Sequence, residues 1–189
     1  MPEMATLARM SALLNPADLP AWSNYLDAAP EKGWEPVVRS HLSATARALV
    51  TISAALSAAL PDDKADHAYA AGRWTVRQVV GHILVSQRVF VGRAIVVARG
   101  EIQSLPGYDE NAYALGWPTA DVPFADLAAA YAAEASATAA WIGILRPDEL
   151  ERDGVANRLR IRPSWMFRAL VGHENHHLAV LRDRYGISA

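Results

Sequence analysis

The sequence has no cysteine, so it offers no disulfide framework, no thiolate metal ligand and no cysteine nucleophile. Charge is nearly balanced: 18 basic and 20 acidic side chains leave a net charge of −2, which provides no basic field for nucleic acid. No apolar run of membrane-spanning length is free of charge, glycine and proline, so we predict no membrane span. The first residues do not resemble a secretory signal, which predicts a cytoplasmic protein.

Alternation of apolar and polar residues over a strand length is also missing, whereas alanine, the best helix former, is abundant. Thr75 and Gln78 fit a capping box, and Gly100 suits the left-handed position after a helix. The periodic stretches predict a short helix over Met4–Leu14 and four long helices, at about Glu35–Leu60, Thr75–Gly100, Pro123–Arg146 and Pro163–Tyr185.

Four helices of this length predict an all-α fold, a four-helix bundle with one shared core. The segment from Glu101 to Asp121 is long enough to run back along a helix of about 39 Å. It therefore predicts a crossover that leaves the second and third long helices parallel. Residues 1–30 are expected to form a helical extension packed on the bundle, which residues 31–189 would build.

Two histidines, His173 and His177, lie one helical turn apart on the apolar face of the last predicted helix. A buried imidazole without a hydrogen-bond partner costs about 1–3 kcal/mol. A divalent metal would satisfy both side chains, because neutral imidazole is a good ligand for zinc, nickel or iron. The alternative is a pair of core histidines bonded to the backbone or to Tyr and Asp side chains.

The run from His173 to His177 also matches the H-E-x-x-H pattern of zinc proteases, in which Glu174 would be the general base. The twelve residues that follow His177 contain no histidine and no glutamate, so they supply no third protease ligand. The extended protease pattern would also need glycine where Val180 stands. Glu174 therefore stays a weak candidate for a catalytic base.

A third ligand is expected upstream, and His82 is the candidate because it lies among apolar residues two turns into the capped helix. His41 and His67 are expected to be solvated, and His176 to lie at the surface or beside the ligands. Three neutral histidines from two helices would leave open coordination positions, which is typical of a catalytic metal.

At these residues the chain resembles the DinB/YfiT-like superfamily of metal-binding four-helix bundles. The resemblance extends from about Asp27 to Tyr185, and it is carried by the segments Gly72–His82, Arg88, Arg93–Gly100, Leu105–Tyr113, Gly154–Asn157 and Gly172–Leu178. It implies the ligands His82, His173 and His177, a crossover after the second helix, and a dimer. It further implies group transfer or isomerisation with low-molecular-weight thiols such as bacillithiol or mycothiol, although many members have no known substrate.

One departure from the family concerns the residues after the first ligand, where relatives carry an Asp-Thr-Glu-Arg-like run and this chain has Ser86-Gln87-Arg88. Ser86 removes a carboxylate one turn after His82, and Gln87 cannot take up a proton at neutral pH. The remaining acids near the expected cavity mouth are Asp109, Glu110 and Glu174, and for the first two a solvated loop or a helix cap is the alternative.

Further side chains could line a substrate pocket. The aromatic candidates are Tyr108, Tyr113, Trp117 and Trp165, which could equally belong to the core. The cationic candidates for an acidic cofactor are Arg73, Arg88, Arg158, Arg160 and Arg168, which could equally cap helices or pair on the surface.

Three functions follow as alternatives, and the expected partners are a divalent metal ion, zinc or nickel, and, for the two enzymes, a small-molecule substrate. The protein could be a metal-dependent transferase that uses a low-molecular-weight thiol, a metal-dependent hydrolase, or a non-catalytic bundle that binds a metal or small ligand. We also predict a homodimer, because the stretch Val89–Ala98 is apolar around the whole helix and needs burial on more than one side. The alternative is that the crossover and the N-terminal extension cover it.

Overall fold

The computed structural model describes residues 20–58, 64–100, 104–116 and 122–187. The predicted helix over Met4–Leu14 and the side chain of Trp117 lie outside these residues. The elements are α1 (Pro20–Asp27), α2 (Trp34–Ala58), α3 (Val76–Ala98), α4 (Glu110–Gly116), α5 (Phe124–Ile144), α6 (Pro147–Leu150), β1 (Gly154–Ala156), β2 (Leu159–Ile161) and α7 (Pro163–Tyr185).

Local signals set the ends of the long helices, and the four predicted long helices are confirmed as α2, α3, α5 and α7. At the start of α3 the Thr75 hydroxyl accepts from the Gln78 N–H at 3.1 Å, and the Thr75 N–H donates to Gln78 Oε1 at 2.8 Å. Gly100 follows α3 with φ +90°, and Gly186 follows α7 with φ +65°. Glycine adopts this left-handed region without a steric penalty, so each helix ends there.

Contacts between α3 and α5 fix the relative direction of these helices. Near the start of α3, Arg77 donates to the Val122 carbonyl just before α5. Three turns further on, Arg88 pairs with Glu134, which lies equally far into α5. The two helices are therefore parallel, and the predicted crossover between the second and third long helices is confirmed.

The other two long helices, α2 and α7, are likewise parallel to each other. Trp34 at the start of α2 stacks on Phe167 at 5.8 Å between ring centroids, and one to two turns on His41 contacts Glu174. The Tyr185 hydroxyl at the end of α7 donates to the carbonyl before α3, so α3 runs opposite to α7. The bundle thus has two parallel pairs in opposite directions, with apolar side chains of all four helices in one core.

A small antiparallel hairpin, β1–β2, was not predicted. Its strands have three residues each, which is too short for a visible alternation of polarity, and Asn157 and Arg158 form the turn with φ +49° and +65°. The crossover joins this hairpin: the Leu105 N–H donates to the Val155 carbonyl at 2.9 Å, and the Asn157 N–H donates to the Leu105 carbonyl at 3.0 Å.

The described part of the N-terminal extension, α1, packs on α7. Arg168 is buried and donates to the carbonyl oxygens of Leu26 and Ala29, which lie at the end of α1 and just after it. Gly172 allows the backbone at Tyr25 to lie against α7, because a β-carbon there would overlap with it. This close approach brings Tyr25 to the neighbourhood of His173.

Among the described helices one, α3, is long and apolar enough to cross a membrane by length and composition. More than half of its residues are buried within the bundle, and these include Arg77, His82 and Gln87. This burial of polar side chains indicates that α3 is a core helix, which packs against α5 and α7.

Candidate metal centre

Three histidines meet between α3 and α7. The ring nitrogens that His82, His173 and His177 can offer to a metal lie within 4.8 Å of one another, and His82 Nε2 is 3.1 Å from His173 Nε2. The ring centroids are 4.6–5.0 Å apart. The structure therefore brings together the three side chains that the sequence singles out.

Each histidine is positioned by a helix and by neighbouring aromatic rings. His173 and His177 stand one turn apart on α7, and the antiparallel α3 presents His82 to both. The ring centroids of Trp74 and His82 are 4.8 Å apart, and those of Phe90 and His173 are 5.6 Å apart. His82 and His173 are buried and His177 is half-buried, so the cluster is largely removed from water.

Burial keeps these imidazoles neutral. It lowers the pKa of His82 to about 4, of His173 to about 3 and of His177 to about 2, and mutual repulsion among the histidines adds to the effect. A neutral imidazole carries a free lone pair on one nitrogen. His173 Nδ1 is buried and has no hydrogen-bond partner among the described residues.

This donor set fits a divalent metal ion. Neutral imidazoles with converging nitrogens are ligands that zinc and nickel prefer, and three of them leave coordination positions open. The nitrogen of His173 that faces the other ligands is Nε2, which lies 3.1 Å from His82 Nε2, so Nε2 and not the unpartnered Nδ1 would bind the ion.

The histidines line a cavity of about 320 Å³ between α3, α7 and the loops that cover them. The crossover contributes Tyr108 and Glu110, and the hairpin contributes Asn157. The other lining residues are Tyr25, Trp74, Phe90, Arg93, Ala156, Leu159, Ile161 and His176. The cavity thus has the three candidate metal ligands at one wall and loop residues at another.

Glu174 does not line this cavity. It is fully buried beside α2 and α5, where its Oε2 accepts from the Tyr131 hydroxyl at 2.6 Å and lies 2.9 Å from His41 Nε2. Thr45 Oγ1 lies 3.3 Å from the same His41 nitrogen. The structure therefore places the weak candidate for a catalytic base in a separate polar cluster, which we call the core network (His41, Thr45, Tyr131 and Glu174).

The expectation that His41 is solvated is wrong. Its side chain is 13 % exposed and contacts Glu174, a residue 133 positions later in the chain. A partner so distant in sequence leaves no local signal. His67 is exposed as expected, and His176 lies exposed at the cavity rim next to His177.

Ser86, in place of the family's carboxylate, faces the cluster. Its hydroxyl is 3.4 Å from His82 Nε2 and 3.0 Å from the Tyr108 hydroxyl. Gln87 turns the other way and donates to Thr138 in the core at 3.3 Å. The crossover is therefore linked by hydrogen bonds to the first candidate ligand.

The two crossover acids have different roles. Asp109 caps α4, because its Oδ1 accepts from the N–H groups of Asn111 and Ala112 at 2.9 and 3.0 Å. Glu110 lines the cavity and also lines a second cavity of about 240 Å³ beside it. Among the described residues, Glu110 is thus the carboxylate that lines the cavity of the three-histidine cluster.

Most of the arginines singled out in the sequence lie elsewhere. Arg88 and Arg160 pair with acids, Arg168 holds α1, and Arg158 is exposed in the hairpin turn. Arg73 lines the second cavity.

The aromatic candidates from the sequence also lie in different places. Trp165 lies under the side chains of two arginines, one in β2 and one just after it. Tyr108 lines the main cavity, and Tyr113 is exposed beside it.

Sequence reasoning missed Arg93, which lines the main cavity. The signal was available in the spacing: Arg93 follows His82 by eleven residues, which is three turns of helix and returns to the same face.

Comparison with known proteins places this arrangement in a family. A sequence model of the DinB superfamily matches residues 45–181. Among solved structures, YfiT from Bacillus subtilis, described as a probable metal-dependent hydrolase with an unusual four-helix bundle topology, is similar with a TM-score of 0.67 and 20 % identity, over 85 % of this chain and 92 % of that one. No curated protein sequence matches the chain. With the superfamily matching well over half of its residues, this chain belongs to the DinB superfamily.

Proposed function

We propose that His82, His173 and His177 hold one divalent metal ion, zinc or nickel, and that the protein is a metal-dependent enzyme. The observation that carries this proposal is the convergence of three neutral, buried imidazoles at the wall of a cavity. When bound, such an ion supplies open positions at which a thiol is held as thiolate or a water molecule becomes acidic.

We propose that the reaction is transfer to a low-molecular-weight thiol. The thiol sulfur forms a bond to an electrophilic carbon while the bond from that carbon to its leaving group breaks, and the leaving group takes the electron pair and the thiol proton. The chain has no cysteine of its own, and the site next to His82 carries Ser86 rather than an acid. A nucleophile brought by a cofactor suits a site of this composition.

The second cavity supports transfer between two molecules. It shares Trp74, Glu110, His176 and His177 with the main cavity and adds Arg73 at its far side. A transfer reaction needs adjoining places for two organic molecules, whereas hydrolysis needs one place and a water molecule. Tyr108 lines the main cavity, and its hydroxyl, which lies 3.0 Å from that of Ser86, can form a hydrogen bond with a bound molecule there.

Hydrolysis is the second candidate function, and one observation favours it. Glu110 is a carboxylate at the cavity and could take a proton from an attacking water. The fold is also that of YfiT, a protein described as a probable metal-dependent hydrolase. In this alternative the base comes from the crossover and not from the H-E-x-x-H pattern of α7.

A thiol titration of the cobalt-substituted protein separates the two functions. Binding of sulfur to cobalt gives an intense near-ultraviolet charge-transfer band, and we expect it to saturate at millimolar thiol, as for a weak site. His82→Ala is the control and should give no band. Absence of the band in the metal-loaded protein, together with ester hydrolysis that is lost in Glu110→Gln, would favour the hydrolase.

We also propose that the protein acts as a homodimer in the cytoplasm, where thiols stay reduced. The crossover covers part of the apolar helix α3, but Val96 and Tyr113, which line one shallow groove beside it, remain 38 % and 51 % exposed. Light scattering should give a particle of twice the chain mass of 20.5 kDa, and a particle of the single mass at high concentration would contradict the dimer.

A further inference from the structure

Arg93 is a charged side chain at the main cavity whose surroundings leave most of its hydrogen-bonding capacity unused. One nitrogen, Nη2, donates to the Pro106 carbonyl at 2.8 Å, and the guanidinium lies 5.7 Å from the centre of the Tyr108 ring. A guanidinium has five N–H donors in a planar fork. The side chain lines the main cavity, and no other hydrogen bond of Arg93 is found among the described residues.

No carboxylate among the described residues pairs with Arg93, and this distinguishes it from the arginines nearby. On the same helix Arg77 pairs with Asp66 and Arg88 pairs with Glu134, and just beyond the helix Arg99 pairs with an acid on α6. Burial lowers the pKa of Arg93, and the neighbouring Tyr108 offsets part of this effect. A half-buried cation without a counter-ion is costly unless a ligand supplies the negative charge.

We propose that the molecule reacting at the three-histidine centre carries a carboxylate, and that Arg93 binds this carboxylate. The inference rests on the proposed metal centre and adds the substrate class to it. A guanidinium matches a carboxylate with two parallel N–H···O bonds, which orients the bound molecule as well as attracting it. The Asn157 side chain lines the same cavity and can add a further hydrogen bond.

The competing explanation is that Arg93 only positions the crossover through its bond to Pro106. The two explanations differ in what the loss of Arg93 changes. A positioning residue would alter the binding of every ligand in the cavity, whereas a carboxylate-binding residue would alter only the binding of ligands that carry a carboxylate. A matched pair of metal-binding probes therefore distinguishes them.

The probes are acetohydroxamate and the monohydroxamate of succinic acid, which share a metal-binding head and differ in one carboxylate. Binding to the cobalt-substituted protein is followed by the visible spectrum. We expect the carboxylate probe to bind about tenfold tighter than acetohydroxamate, as for one charge-assisted contact. This preference should disappear in Arg93→Gln and return in part in Arg93→Lys, with acetohydroxamate affinity unchanged throughout.

Arg88→Gln is the matched control, because Arg88 lies on the same helix but outside the main cavity, and it should keep the preference. Equal binding of both probes to the wild type, a preference that survives in Arg93→Gln, or an equal loss of both probes in that variant would each overturn the inference while leaving the metal centre intact. If the wild type retains no cobalt and binds neither probe, the proposed centre fails and the inference fails with it. Metal content, measured separately, identifies that case.

Discussion

Two polar clusters share helix α7 and differ in their surroundings, because a cavity adjoins one of them and not the other. In the three-histidine cluster the side chains converge, one buried nitrogen has no partner among the described residues, and a cavity adjoins. In the core network Glu174 Oε2 accepts a hydrogen bond from the Tyr131 hydroxyl and lies within hydrogen-bond distance of His41 Nε2. Glu174 Oε1 is buried and has no partner among the described residues, and Glu174 does not line the cavity. His173 and Glu174 are adjacent in sequence, but the helix turns about 100° between them. A motif read as one unit thus contributes to two separate sites.

The largest expected effect is loss of metal on removing a cluster ligand. His82→Ala or His173→Ala should reduce metal content from about one equivalent to nearly none, because two imidazoles hold a divalent ion far less tightly than three. Elemental analysis after gentle purification measures this. His41→Ala is the control from the core network and should keep its metal. Full metal content in both cluster variants would show that these two histidines are not metal ligands.

Breaking the core network should affect stability instead. Glu174→Ala removes the acceptor of the Tyr131 hydroxyl and a contact of His41, and we expect a loss of about 2–4 kcal/mol in the free energy of unfolding. Tyr131→Phe should cost about 1 kcal/mol. Urea unfolding measures both variants, and each should keep its metal. Loss of metal in Glu174→Ala at unchanged stability would assign Glu174 to the metal centre.

Acid should destabilise the metal-free protein through the three-histidine cluster. The pKa values of the cluster histidines are lowered in the folded state, to about 4 for His82, so the unfolded chain binds protons first as the pH falls below about 6.5. The contribution of these histidines to the free energy of unfolding is therefore fully present at pH 7. Roughly a few kcal/mol of it is lost between pH 6.5 and 4.

Urea unfolding of the metal-free protein at pH 7 and pH 4.5 measures this loss. His82→Asn should lose less stability over the same interval, because it removes one of the groups responsible. An identical pH dependence in the two proteins would contradict the assigned cause.

The smallest effect concerns a residue that belongs to neither cluster. Arg158 has φ +65° in the hairpin turn, a conformation that costs a non-glycine residue about 1–2 kcal/mol. Arg158→Gly should stabilise the protein by about 0.5–1 kcal/mol, because glycine adopts this φ without strain. The gain is smaller than the cost of the strained conformation, because glycine also adds flexibility to the unfolded chain. Thermal unfolding should show a small rise in Tm with unchanged metal content, and a fall in Tm would show that the Arg158 side chain is needed in the turn.

The parts of the fold that local signals specify could be predicted. The Thr75–Gln78 capping box and the glycine after each helix involve neighbouring residues, and the histidine spacing on α7 is a property of the helix itself. The solvent exposure of His41 could not be predicted, because its partner is 133 residues away. The hairpin escaped prediction because strands of three residues show no periodicity. Arg93 was within reach of the spacing argument, but only the three-dimensional structure shows that no carboxylate of the described residues pairs with it.

The attachment of the crossover to the hairpin has a consequence for how such proteins diverge. Two backbone hydrogen bonds, from the Leu105 N–H and from the Asn157 N–H, join the segments that form one wall of the cavity. The three histidines stand on helices whose positions depend on the packed core. Loop substitutions can therefore reshape what the cavity accepts without disturbing the bundle or the histidines. A chain built in this way can acquire new substrates while it keeps its chemistry.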